Sequence, residues 1–84
     1  MGWRWEMLDR DEWWLMLDDN GFSDPMGYVK KTKGLIPYKA TIEHGRNKPR
    51  YFDYLTDAKR YIEEYWGIKL TKKRMGKSKW VRLV

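Results

Sequence analysis

The chain has 84 residues, a formal net charge of +6, no cysteine, six Trp, six Tyr and two Phe. A chain this short forms one domain with a modest core. Without cysteine it makes neither a disulfide nor a thiolate metal site, so packing of its aromatic rings has to hold it together. No apolar run approaches the roughly 18 residues of a membrane span. The start MGWRWE has no signal-peptide h-region, and Glu6 stands where a myristoylation motif has Ser or Thr. A soluble, cytoplasmic protein with no membrane partner is expected.

Residues 3–8 alternate, with Trp3, Trp5 and Met7 on one side, and predict a first strand. Asp9, Arg10 and Asp11 form a polar turn. Residues 12–18 predict a second strand, with Trp13, Leu15 and Leu17 on one face and Trp14 and Met16 on the other. Two apolar faces place it centrally in a sheet or under cover on both sides. The run DDNGFSDPMG, residues 18–27, is dense in turn formers and reads as a loop.

A third strand is expected over residues 27–33, with a turn at Lys33-Gly34. Residues 35–44 give the clearest alternation, with Ile36, Tyr38, Ala40 and Ile42 facing one way and Lys39, Thr41 and Glu43 the other. Pro37 marks an edge or a strand entry. Residues 45–48 form a hairpin loop and residues 50–55 a fifth strand. Thr56 has the chemistry of an N-cap, and Asp57 suits the positive end of a helix. Ala58, Tyr61, Ile62, Tyr65 and Trp66 then fall on one helical stripe, and Gly67 is the expected stop, which places a helix over residues 57–66. Beyond it lie a basic loop and a last short strand over residues 80–84.

These elements predict an α+β fold: an antiparallel sheet of about four to six strands with one α-helix packed on one face. The chain reads as a single domain, 1–84, with three segments. Residues 1–26 are an acidic, Trp-rich strand pair, 27–66 a strand-strand-strand-helix unit, and 67–84 a basic extension. Residues 1–26 carry a net −5, 27–64 carry +4 and 65–84 carry +7. Such polarity suits the steering of a charged partner.

From Tyr28 to Trp66 the order of residues resembles the AP2-type domain family, which includes the arm-type DNA-binding domains at the N-termini of tyrosine recombinases. The residues that carry the likeness are Tyr28, Val29, Gly34, Tyr38, Ala40 and Ile42, then Phe52, Thr56 and Ala58. The same wording occurs in many small phage proteins. The resemblance covers about half the chain, and the acidic strand pair in front departs from it. It implies a three-stranded sheet laid into the DNA major groove, with the helix on the far side. A phage or mobile-element origin, in the cytoplasm of a bacterial host, is the matching expectation.

The residues themselves point to the same chemistry. Lys31, Lys33, Lys39, Thr41 and Arg50 or Tyr51 are expected on the outward sheet face, with Arg46 and Lys48 at the hairpin tip. Basic groups interleaved with Tyr and Thr suit phosphate and groove contact. Lys72, Lys73, Arg74 and Lys77 in the tail would add affinity without specificity, and Trp80 could stack on a base. A solvated, lysine-rich sheet face is the bland reading of the same residues.

The first expectation is therefore a small non-enzymatic protein that binds duplex DNA, as a monomer or homodimer. The alternative is a protein-binding inhibitor or adaptor acting on a host protein, through an exposed patch of Trp3, Trp5, Trp13 and Trp14 ringed by acids. No catalytic residue, cofactor or metal is expected. His44 is the sole histidine and reads as a strand-end residue. DDNG lacks the ligand register of a calcium loop. GKS at residues 76–78 lacks the first glycine of a phosphate loop. No nucleophile–base arrangement or telling carboxylate pair is present.

Overall fold

A computed structural model describes residues 2–45 and 48–71. Five strands and one helix follow in the order β1 (Gly2–Asp9), β2 (Glu12–Asp19), β3 (Phe22–Lys31), β4 (Tyr38–Ile42), β5 (Arg50–Phe52) and α1 (Leu55–Trp66). The strands form an antiparallel meander in sequence order. The helix packs across β3, β4 and β5 on one face. This is the two-layer α+β arrangement that the sequence predicts.

The expected loop over residues 18–27 is instead a tight hairpin followed by half a strand. Asn20 and Gly21 have φ of 49° and 86°. Left-handed values at both central residues are what a two-residue hairpin turn with the sheet's own twist demands. Asp19 then faces Phe22, Asp18 faces Ser23, and Met16 faces Pro25. Register slips between Leu15 and Met16, because Leu15 faces Gly27 and leaves Met26 as an extra residue. Pro25 is tolerated there because β4 pairs only with Gly27–Lys31, so nothing on that side asks for its missing N–H. The bulge has a use. The Met26 carbonyl accepts from Trp66 Nε1 at 2.9 Å and from the Glu43 amide at 3.1 Å.

Three further boundaries differ from expectation. β4 covers 38–42 rather than 35–44, since Thr32 N bonds Pro37 O and closes a loop before it. β5 stops at Phe52 rather than Leu55. The helix cap is Tyr54 in extended conformation, not Thr56, and it makes no side-chain cap bond. Gly67 ends the helix as expected, with φ 74°, and Ile68 N bonds Glu63 O at 2.9 Å. The tail strand over residues 80–84 lies outside the described residues.

The core is Leu15, Val29, Ala40, Ile42, Ala58 and Ile62, all at most 5% exposed. Trp3, Trp5, Trp13, Tyr38, Phe52, Tyr61 and Trp66 pack around it. At Gly27 the helix comes close to the sheet. A Cβ built there would lie 2.6 Å from Ile62 Cγ2, so only glycine lets the helix sit this low.

Candidate functional site

Residues paired across antiparallel strands share a face. The ladder therefore sorts every strand side chain into the helix-covered face or the open one. The row Trp13–Val29–Ala40–Arg50 and the row Trp5–Leu15–Gly27–Ile42 lie on the helix side. The row Glu6–Trp14–Tyr28–Thr41 and the row Glu12–Lys30–Lys39–Tyr51 lie on the open side. Among the described residues no helix or strand packs on the open side.

This register divides the expected basic set. Lys39, Thr41 and Tyr51 are on the open face as predicted. Lys31 faces Tyr38 and so belongs to the helix side. Arg50 also lies there, its guanidinium 5.6 Å from the Phe52 ring centre and 5.3 Å from that of Tyr61. That contact makes Arg50 a lid on the aromatic core edge. Lys33 sits exposed in the 32–37 connection, and Lys48 is exposed just before β5. Arg46, Lys72, Lys73, Arg74 and Lys77, like Trp80 and the GKS segment, lie outside the described residues. The sheet thus does not gather Lys31, Lys39 and Arg50 on one surface. Lys30, missed from the sequence, replaces Lys31 beside Lys39.

The tryptophan set is divided too. Trp3, Trp5 and Trp13 turn to the helix side and pack against the core. Trp3 lies 6.1 Å from Trp66, and Trp13 lies 6.2 Å from Tyr38, between ring centres. Only Trp14 is on the open face, stacked on Tyr28 at 4.6 Å and 29°. The bare four-Trp patch expected of the protein-binding alternative is absent among the described residues.

The open face has two unlike ends. One is acidic and self-satisfied. Arg4 bonds Asp18 at 2.7 Å and Glu6 at 3.2 Å, and Ser23 Oγ donates to Asp18. The bonds from Ser23 and Arg4 hold the Asp18 carboxyl below its ordinary value. The other end is Lys30, Lys39 and Tyr51, with Tyr51 52% exposed and Glu12 facing Lys30 from β2. Neither lysine is in an ion pair among the described residues. Between the ends, Trp14 Nε1 and Thr41 Oγ1 are shut from solvent without a hydrogen-bond partner.

Charge reinforces the division. The described residues hold eleven Lys and Arg against twelve Asp and Glu, a net of −1. The excess positive charge belongs to Arg46 and to the six basic residues after Thr71.

A second polar cluster closes the end of the helix. Glu63 is only 1% exposed. Its carboxylate accepts from Trp5 Nε1 at 2.7 Å, from the Leu70 and Thr71 amides at 3.0 Å each, and from Thr71 Oγ1 at 2.5 Å. Burial pushes this carboxyl up, but the hydrogen bonds together outweigh it and hold it below the ordinary Glu value. Lys59, 5.2 Å above the Trp5 ring centre, is lowered by desolvation despite the opposing charge of Glu63. An open groove of about 700 Å³ lies alongside, lined by Arg60, Glu63, Glu64, Ile68 and Lys69. Both Glu63 oxygens are engaged by the chain itself, so this cluster reads as an anchor for residues 68–71. Among the described residues no group of three His, Cys, Asp or Glu is placed to hold a metal. No helix there is long and apolar enough to cross a membrane.

No protein-family model, no curated protein and no solved structure matches the chain.

Proposed function

We propose that this protein binds a nucleic acid without acting on it, through the Lys30–Lys39–Tyr51 end of its open sheet face. The carrying observation is the direct cross-strand pairing of Lys30 with Lys39, with Tyr51 beside them. Like charges placed opposite each other cost stability, and a bound phosphate offsets that cost. Exposed Tyr51 supplies a ring on which a base can stack, and the basic residues after Thr71 add long-range attraction.

The geometry favours a single strand over the duplex that the sequence suggests. A duplex seated on β3–β5 would bring the phosphates of its second strand towards Glu6 and Asp18 on the same face. A single strand running over β3, β4 and β5 stays clear of Glu6 and Asp18 and meets Glu12 only where that residue faces Lys30.

Fluorescence anisotropy of a labelled single strand and of the matching duplex, at low and at near-physiological salt, tests this. Tighter binding of the single strand, weakened by salt and by Tyr51→Ala, is the expected result. Failure to bind either form at low salt would remove the reading.

A further inference from the structure

β1 is an edge strand of eight residues, and among the described residues nothing pairs with its outer side. Long open edges are usually blunted by proline, lysine or a break in the strand, because unpaired N–H and C=O groups recruit other strands. β1 holds neither proline nor lysine, and its charges Arg4 and Glu6 are of opposite sign, so they do not repel a second copy of the same strand. Its one irregularity, between Met7 and Asp9, leaves Gly2–Met7 regular.

We infer that β1 pairs antiparallel with β1 of a second copy, joining two five-stranded sheets into one. The inference goes beyond the nucleic-acid reading and does not depend on it. Its basis is self-complementarity of the strand. With Trp5 opposite Trp5 of the second copy, Arg4 falls opposite Glu6 and Glu6 opposite Arg4. Trp3 falls opposite Met7, and Gly2 opposite Leu8. The two charged pairs lie on the open face, and the Trp–Trp and Trp–Met pairs lie on the helix side.

In an antiparallel pair, opposite charges and aromatic–apolar neighbours are the stabilising combinations. Met7 and Leu8, 59% and 55% exposed in the single chain, would gain neighbours. Arg4 is already held by Asp18 and Glu6 of its own chain, but these pairs are exposed and weak, so it re-partners at little cost. The two-fold axis would pass through the Trp5 pair. The Lys30–Lys39 ends would then lie at opposite ends of a continuous sheet.

Sedimentation from micromolar to submillimolar protein reads this directly. The wild-type protein is expected to approach twice the mass of the single chain. Arg4→Glu and Glu6→Arg each place like charges opposite one another twice and are expected to be monomeric. Mixed in equal amounts, the two variants carry complementary strands and regain the double mass. The doubly exchanged chain, Arg4→Glu with Glu6→Arg, is expected to dimerise alone, which guards against a single variant that simply fails to fold. A wild-type protein that stays monomeric overturns the inference, including one whose β1 amides are protected by its own chain. So does a mixture that stays monomeric while both variants show wild-type circular dichroism.

Discussion

The indole Nε1 of Trp5 on the edge strand donates to Glu63 Oε2 on the helix at 2.7 Å. The same carboxylate receives two amides and a hydroxyl from Leu70 and Thr71. One buried acid thus joins β1, the last turns of α1 and the chain beyond it. Trp5→Phe removes one charge-assisted donor and keeps most of the ring, and should cost about 1.5–3 kcal/mol. Glu63→Ala orphans four donors at once and should cost more, about 3–5 kcal/mol. Chemical denaturation of the two variants checks the order. Equal losses would mean that Trp5 is the only partner that matters.

The same acid predicts a pH dependence. Its carboxyl is lower in the folded protein than the ordinary value of 4.5. A group lowered on folding stabilises the fold fully above its unfolded value, and that stability is lost as pH falls through the folded value. The wild-type protein should therefore lose stability below about pH 4.5, where the unfolded chain takes up the proton first. Glu63→Gln should be less stable at neutral pH, and the difference should narrow as the pH falls. Melting temperatures of both proteins across the acid range report it. A constant gap between them would show that the charge on Glu63 contributes nothing.

What the sequence conveys and what it hides follow from the kind of signal each carries. Alternation in 38–42 assigns the right faces, because inward residues there are apolar and outward ones are not; in 12–18 both faces are apolar, and the parity of Leu15 with Trp13 and Leu17 still groups the inward set correctly. Gly67 marks the helix end for the steric reason that the structure shows. β3 is harder. Its first half is Phe-Ser-Asp-Pro, which has turn composition, and only Asn20-Gly21 announces a hairpin. Without that start and the extra residue Met26, the side parity of Lys30 and Lys31 has no anchor, and one residue of slip moves a charge to the other face. Glu63 is hidden differently. It adjoins Ile62 on the buried stripe, but nothing in helical spacing says that a tryptophan 58 positions earlier will reach it.

Gly27 and Ile62 form a close pair, and Gly27→Ala should cost about 1–3 kcal/mol by overpacking, since Thr41 O also lies 3.0 Å from the added carbon. Ile62→Ala alone should cost about 2–5 kcal/mol by leaving a cavity. Because Ile62→Ala removes the clashing methyl, Gly27→Ala should cost less in that background. A double-mutant cycle by urea denaturation measures the coupling. Strict additivity would mean that the helix shifts freely over the sheet, and that Gly27 does not set its height.

The division of the lysines between two faces gives the sharpest test of the binding surface. Lys30 and Lys31 are neighbours in sequence, so their exchange for acids changes the net charge equally. Only Lys30 shares the open face with Lys39 and Tyr51. At near-physiological salt, charges are screened beyond about 8 Å, and a substitution on the far face should register weakly. Lys30→Glu and Lys39→Glu should each weaken single-strand binding markedly, and Lys31→Glu should leave it close to wild type. With both Lys30 and Lys39 replaced by Gln, the slope of log K against log salt should fall in magnitude by about 1.4, the loss of two phosphate contacts. Equal effects of Lys30→Glu and Lys31→Glu would show that net charge alone drives binding, and that the open face is not the surface used.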